Sequence, residues 1–527
     1  MGKTIILIIS AILFNSEGVA VAGEPDLSYL NGDSVNDNEC TILLISGQAT
    51  DDGRPIIWKN RDVVTANQKY LFIPAHYDQY DTTYAFNGNF YADDSSRCFM
   101  GVNEHGFAVI NANCYNLSDV LNDGIDDGDL MRLALQRCRT VDDWEALLRK
   151  TNLIGRKDPW LFGAMDAAGV VKLYECGNFN FVVYDANDPE DAPEGIIVRS
   201  VFALSGPHTE EGAERYKRAK FLVESRPDFN AIDAEYILQI IARDLYCSLG
   251  DPYPLPFMGQ IDNLPGGWVN TNETINRFKS RSCSVIRGIK PGDDPKLTTT
   301  FAILGPPVLG VAVPLWVASG MVPDFFCEGD SAAWFQVICE RMRSLYPVGH
   351  SPTWMNTRYL VDTDSSGVFS YTLGLESWAI RQADSLVESW NGLPLDTAAV
   401  RIAQDSIAET IWSGFAEQRN LVTYISYDDY NISDFELPFC YPNPFNSSTT
   451  IRFGIAGLSD IEAVSIEIYN ILGEKVRNLS EFNISGGYAG AIWDGRDKYN
   501  LPVSSGVYFY RLSTEKSFPA GSVLYLK

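Results

Sequence analysis

The sequence predicts an α+β layered domain from Cys40 to about residue 430, followed by a small all-β sandwich over residues 436–527. Three observations carry this reading. Ile42 and Leu44 point to one side of a strand and Leu43 and Ile45 to the other, so neither face suits water and the strand belongs in a sheet covered on both sides. From Cys40 onward, strand-like hairpins and segregated helices follow one another without the regular alternation of a βαβ winding. After a Tyr/Asp-rich stretch at Tyr427–Tyr430 the texture changes, and strictly alternating segments are separated by Gly, Pro and Asn turns.

In chain order, Lys3 precedes an apolar run from Ile5 to Phe14, and Ala20-Val21-Ala22 has the small-x-small pattern of a signal-peptidase site, so residues 1–22 read as a signal peptide. Residues 23–39 are short and polar, with no pattern worth a core. The first strand begins at Cys40, Asp52-Gly53 is a strong hairpin turn, and Pro55–Trp58 reads as the return strand. With the turn centred there, residue 43 faces Asp62, and Cys40 lies beside Lys59-Asn60-Arg61-Asp62 at one end of the hairpin. Asp129–Cys138 and Val141–Lys150 are helical stretches, the second capped by Thr140 with Asp143 at capping-box spacing. Phe162–Ala168, Val170–Glu175 and Phe179–Tyr184 form a strand meander punctuated by Gly169 and Gly177. Glu211–Glu224, Ala231–Leu245, Ser331–Leu345 and Leu373–Glu388 read as helices, and Ser465–Tyr469, Gly487–Trp493 and Gly506–Leu512 as tail strands.

The bulk numbers exclude several classes. A chain of 527 residues suggests two or three domains, and 46% apolar residues suffice for packed cores. A formal net charge of −27 argues against nucleic acid or anionic membranes as partners. No stretch after the leader reads as a membrane span: Pro306, Pro307 and Pro314 break the nearest one, Gly305–Val317. Ten cysteines in an exported chain make disulfides plausible, with connectivity unreadable. With no Cys-x-x-Cys pair and four scattered histidines, no metal or cofactor is expected, and Asp123–Asp129 lacks a calcium-ligand pattern.

The opening hairpin resembles that of the N-terminal-nucleophile hydrolases, specifically the branch of the acyl-coenzyme A:6-aminopenicillanic acid acyltransferases and choloylglycine hydrolases. The resemblance rests on Cys40-Thr41, the Asp52-Gly53 turn and Lys59–Asp62. It continues through Gly101-Val102-Asn103-Glu104-His105-Gly106-Phe107, Asn111-Ala112-Asn113 and Tyr174-Glu175-Cys176-Gly177-Asn178. Glu214-Arg215-Tyr216-Lys217-Arg218-Ala219 and Gly310-Val311-Ala312-Val313-Pro314 complete it, so that it covers most of residues 40–350. It implies a four-layer αββα sandwich, two stacked antiparallel sheets between helical layers, where a doubly buried first strand fits.

The resemblance also implies a mechanism. A thiol of pKa about 8.5 needs a base, and in the family that base is the free α-amine of the same cysteine, which titrates near ~7.7–8.0 and is partly neutral at working pH. The amine exists only if the Glu39–Cys40 bond is cut, which makes residues 23–39 a propeptide. By the same resemblance Cys40 is the nucleophile, Asp62 orients the amine and thiol, and Asn113 lends its backbone N–H to an oxyanion hole. Lys59 stands where choloylglycine hydrolases carry arginine, keeping the charge without the fork, and Arg215 supports the site. One departure is Val201, in Val198-Arg199-Ser200-Val201-Phe202, where relatives show an asparagine that would be a second oxyanion donor.

The tail resembles the C-terminal sorting domain of the type IX secretion system. Tyr441-Pro442-Asn443-Pro444-Phe445-Asn446, Thr449-Thr450-Ile451-Arg452-Phe453, Ile468-Tyr469-Asn470-Ile471-Leu472-Gly473, Trp493-Asp494-Gly495 and Ser505–Leu512 carry this likeness. It implies export through the periplasm of a didermic bacterium, with the type IX machinery as partner, to the medium or the cell surface. The tail is expected to be an immunoglobulin-like sandwich. The expected activity is an amidohydrolase acting on a small acylated amine or short peptide through an acyl-Cys40 intermediate. An acyltransferase using the same site, a dipeptidase of related fold and a catalytically inactive surface-binding protein remain alternatives.

Overall fold

A computed structural model describes residues 39–422 and 439–525, apart from 65–66, 78–80, 118–122, 227–231, 247–254, 256–266, 330–331, 337–338, 340–352, 362–366, 442–444, 455–463, 471–474, 486–487 and 514–516. The expected signal peptide and nearly all of the expected propeptide lie outside the described residues, as does most of the predicted helix Ser331–Leu345.

The alternation of apolar residues along the first strand, β1 (Glu39–Ile45), feeds two separate cores. Ile42 and Leu44 join one apolar cluster, Leu43 and Ile45 another. β1 sits inside a six-stranded sheet, between Ile196–Arg199 and β2 (Ile56–Asp62), followed by Ser280–Arg287, Thr299–Leu304 and Val313–Leu315. A seven-stranded sheet follows the order Phe181–Asp185, Val171–Cys176, Trp160–Met165, Ala108–Asn113, Asp94–Asn103, Phe86–Tyr91, Gln68–Ile73. The cluster containing Cys40, Ile42, Leu44 and Ile57 also contains Met100, Ala108, Ile110, Leu161 and Leu173, so the two sheets pack face to face. On its other face the first sheet buries Leu43, Trp58, Val285 and Phe301 against helices Ala213–Glu224, Val368–Trp390 and Thr397–Val422. The second sheet buries Val109, Phe162 and Tyr174 against helices Asp127–Arg137 and Val141–Ile154. Full burial of each large apolar side chain contributes about 1.5–3 kcal/mol, which explains why a strand apolar on both sides lies centrally.

The capping box at Thr140 is present: its hydroxyl accepts from Asp143 N–H, and the Asp143 carboxylate accepts from Thr140 N–H. The meander strands fall within a few residues of the predicted ones. The segment predicted as one helix over 231–245 is instead a short α-turn, Ala234–Tyr236, running into a wider π-type turn, Ile237–Ile241. Thr397–Val422 is a helix that the sequence reading omitted.

The β1–β2 register also differs. Leu43 faces Trp58 rather than Asp62, Cys40 faces Arg61, and Glu39 faces Asp62. Asp52-Gly53 is a local turn, with Gly53 at φ +80° and the Asp52 carboxylate accepting from Arg54 N–H. It is not the hairpin's closing turn, because Gly47–Ala49 forms a helical turn that the Thr50 hydroxyl ties down by donating to Arg54 O at 2.9 Å. Pairing therefore starts at Ile45–Ile56. Cys40, Cys98, Cys114, Cys138, Cys176, Cys283 and Cys327 are free thiols, so among these seven the disulfides read as plausible do not occur.

In the tail, one four-stranded sheet runs Phe439–Tyr441, Thr449–Gly454, Tyr488–Trp493, Asn483–Ser485. A second runs Lys475–Leu479, Ser465–Tyr469, Gly506–Ser513, Ser517–Tyr525. Ile451, Ala491 and Trp493 of the first share a core with Ile466, Ile468, Tyr510 and Leu512 of the second.

Candidate active site

β1 and β2 together place the candidate groups. Because neighbouring strand residues point to opposite faces, Cys40 points between the sheets with Ile42 and Leu44. Lys59 and Arg61 share that side. The Lys59 ammonium donates to Phe99 O at 3.0 Å and to the Asn111 side-chain oxygen, both on the second sheet. The Arg61 guanidinium lies over the rings of Phe99 and Tyr91, 4.0 and 4.6 Å from their centroids. Its terminal nitrogens have no hydrogen-bond partner among the described residues, so the aromatic faces supply its compensation.

Asp62 points to the opposite face, where Ser280 Oγ donates to it at 2.6 Å. A bulge between Ser280 and Ser282 brings that hydroxyl into place. The second carboxylate oxygen of Asp62 is buried and has no hydrogen-bond partner among the described residues. The backbone of Asp62 lies near enough to the Cys40 sulfur to favour its charged form, against the stronger effect of burial. Glu39, still joined to Cys40, points the same way as Asp62, and its carboxylate is held by Arg215 at 2.8 Å and by Arg277.

Burial dominates the electrostatics. It pushes the Cys40 thiol above its ordinary range, with the Lys59 ammonium opposing most strongly. It raises Asp62 to about 6, against the pull of Arg277 and Arg215, and lowers Lys59 to about 8. The Asn111 amide passes from Lys59 to the buried Asp127 carboxylate, which burial raises to about 8. Asp127 thus belongs to the structure beneath the thiol, and Asp126 caps its helix by accepting from Gly128 N–H.

Of the five sequence-predicted residues, Lys59 and Asp62 lie close to Cys40, and Arg215 holds the carboxylate of the preceding Glu39. Asn113 ends the strand Ala108–Asn113, and its amide donates to the Tyr115 hydroxyl at 3.3 Å. Burial, then the charges of Glu39 and Cys40, raise the Tyr115 phenol, so this ring connects Asn113 to the cluster. Arg215 stands in the first turn of its helix and donates to Ser200 Oγ at 3.3 Å and to Glu273 at 3.4 Å. Gly212, just before it, has φ +70°, and a Cβ there would lie 2.6 Å from Val201 and 2.7 Å from Ser200 Oγ. Only glycine permits that close approach. Val201 is buried and its carbonyl accepts from Tyr115 N–H at 2.9 Å, so its side chain offers no donor. Two of the motif blocks meet nearby, where Arg199 donates to Glu175 at 2.8 Å and the same carboxylate accepts from the N–H groups of Leu204 and Ser205.

Sequence reasoning missed the Glu39 side chain, Tyr115, Arg277 and Ser280 as parts of this cluster. The one signal was the basic run Arg277-Phe278-Lys279-Ser280-Arg281 ahead of an apolar strand.

Residues 48–188 match the family model of acyl-coenzyme A:6-aminopenicillanic acid acyl-transferase, and residues 440–520 match the secretion system C-terminal sorting domain. The first match includes Lys59, Asp62 and Asn113 but begins after Cys40 and ends before Arg215. No curated protein matches the sequence. Among solved structures, penicillin V acylase from Agrobacterium tumefaciens is similar at 14% identity and TM-score 0.33, over 53% of this chain and 86% of that one. A variant of conjugated bile acid hydrolase from Clostridium perfringens is similar at 16% identity and TM-score 0.32, over 53% and 92%. Latent PorU from Porphyromonas gingivalis is similar at 23% identity and TM-score 0.14, over 19% and 10%. The sorting tail indicates secretion or a cell-surface location, and no described helix is long and apolar enough to cross a membrane. The chain therefore resembles, over residues 48–188, the acyl-coenzyme A:6-aminopenicillanic acid acyl-transferase family of N-terminal-nucleophile enzymes, and it carries a secretion-system C-terminal sorting domain.

Proposed function

We propose that the protein is a secreted or surface-held amidohydrolase whose nucleophile is the thiol of Cys40, acting on the C–N bond of a small acylated amine or short peptide. The observation that supports this is the position of Cys40 at the start of β1, buried beside Lys59, with the carboxylate of the preceding Glu39 held by Arg215 and Arg277. In this reading the two packed sheets and their flanking helices form a four-layer αββα sandwich, and the tail is immunoglobulin-like.

The chemistry needs the Glu39–Cys40 bond to be cut first. In the uncut chain the Cys40 nitrogen is an amide with no basic lone pair, and the buried thiol keeps its proton. Another protease can cut that bond, or Sγ can attack the Glu39 carbonyl: the S–C bond forms as the C–N bond breaks, the thiol proton ends on the departing nitrogen, and water then hydrolyses the thioester, leaving a free Glu39 carboxylate and a Cys40 amine. That amine takes the thiol's proton as Sγ attacks the substrate carbonyl, with Asp62 orienting it and the Asn113 N–H stabilising the oxyanion. The ammonium returns the proton to the leaving amine, and water resolves acyl-Cys40. An amine in place of that water makes the same site an acyltransferase. Lys59, lowered to about 8 by burial, supplies positive charge beside the thiol. Arg215 holds the end of β1.

Intact mass and N-terminal sequencing of the active form test this. The expected N terminus is Cys40, after signal-peptide removal near Ala22 and loss of residues 23–39. A fully active protein beginning at Gly23 with Glu39–Cys40 intact overturns the amine-as-base mechanism. Free amino acids released from dipeptides would favour the dipeptidase reading, and absence of thiol-probe labelling at Cys40 would favour an inactive binding protein.

The tail gives an independent prediction. A chain ending near Glu436 is expected to be active when purified but to stay periplasmic in a host with the type IX machinery. Its appearance in the medium refutes the sorting role.

A further inference from the structure

We propose that Arg215 and Arg277, which hold the Glu39 carboxylate before cleavage, form a subsite for a carboxylate on the acyl group of the substrate. This rests on the reading that Glu39 leaves when Cys40 becomes the N terminus.

Both guanidinium groups are buried, and both converge on one Glu39 oxygen, with Arg215 at 2.8 Å. Their other contacts are Asn272 at 3.2 Å for Arg277, and Ser200 at 3.3 Å and Glu273 at 3.4 Å for Arg215. The Arg277 Nε has no hydrogen-bond partner among the described residues. Departure of Glu39 thus leaves two buried cations facing the more distant Glu273 and the buried Asp62. Arg215 then keeps Glu273 at 3.4 Å while the side-chain hydrogen bond left to Arg277 is to the neutral Asn272, and a buried cation without a carboxylate is costly, so the vacated position favours an incoming anion. A guanidinium pair suits a planar carboxylate.

Glu39 also sets the geometry of the ligand. Its carboxylate is three carbons beyond the carbonyl joined to Cys40, the same separation as in a glutaryl group. An acyl group of that kind can place its carbonyl by Cys40 Sγ while its carboxylate occupies the arginine pair. The substrate class is therefore an amide whose acyl part ends in a carboxylate.

The test uses the protein beginning at Cys40, confirmed by intact mass, with glutaryl 4-nitroanilide and valeryl 4-nitroanilide, which match in length and differ in the carboxylate. The glutaryl compound should have a kcat/KM about tenfold higher or more, mainly through KM, since a charge-assisted contact is at stake. Arg277→Gln should cut that preference about tenfold, and Arg277→Lys should restore part of it. Because Arg277→Gln removes a buried cation and can harm folding, a second measurement needs no variant at this pair. Calorimetry should show glutarate binding to the Cys40-started protein and pentanamide not binding. Cys40→Ala protein that retains Glu39 should bind neither. Equal use of the two anilides, or no glutarate binding to the Cys40-started protein, overturns the subsite while leaving the nucleophile reading intact. An active enzyme with Glu39–Cys40 uncut overturns both, since Glu39 then never leaves.

Discussion

Cys40→Ala is expected to lose turnover by on the order of 10⁴-fold or more, because it removes the atom proposed to carry the acyl group. The fold should persist. Cys40 contributes one small side chain to a cluster built by Ile42, Leu44, Ile110, Leu161 and Leu173, and the β1–β2 ladder runs through the backbone. Thermal unfolding should therefore shift little while hydrolysis of an amide substrate disappears. Cys40→Ser keeps a hydroxyl in place and should retain a trace. The same variant reports on maturation: if cleavage is autocatalytic, Cys40→Ala keeps residues 23–39, and if another protease cuts, it loses them. Wild-type activity in the alanine variant would remove Cys40 from the mechanism.

Asp62→Asn is expected to lower kcat by about 10²-fold or more, with little loss of stability, because it removes the charge proposed to orient the Cys40 amine while keeping the side chain's shape. Asn can still accept the Ser280 hydroxyl that Asp62 accepts at 2.6 Å. Burial raises Asp62 from 3.8 to about 6 in the uncut chain. A raised carboxyl pKa gives stability that is full below 3.8 and is lost as pH rises through about 6, where the folded chain must ionise a buried group. Asn has no such loss. Its melting temperature relative to wild type should therefore hold or rise on the alkaline side of that window, even as its rate falls. A variant within twofold of the wild-type rate would make Asp62 a strand end and no more.

Much of the architecture was legible in local patterns. The doubly apolar Ile42–Ile45 stretch demanded burial on both faces, and it received two different cores. Thr140 and Asp143 announced a helix start that the backbone adopts, and the alternation at Ser465–Tyr469 and Gly506–Leu512 announced tail strands that form. Each of these depends on interactions within a few residues, which is the range that periodicity and capping describe. The proximity of Cys40 to Lys59–Asp62 was legible for the same reason, since one short loop joins them.

Sequence by itself determined that a cysteine-led strand would be buried on both sides and would close beside a charged cluster. It also determined that an all-β segment matching a secretion sorting domain would follow. Tertiary structure alone decided what faces what. The register set Cys40 against Arg61 and Glu39 against Asp62, because Gly47–Ala49 and Thr50 take up chain that a tight turn would have left to the ladder. It brought Ser280 to Asp62 and Arg277 to Glu39 across more than two hundred residues, and it laid Arg61 between Tyr91 and Phe99. Such partners are chosen by which sheets stack and where a bulge falls. That choice is a collective outcome of core packing and loop closure, and no local pattern in the chain encodes it.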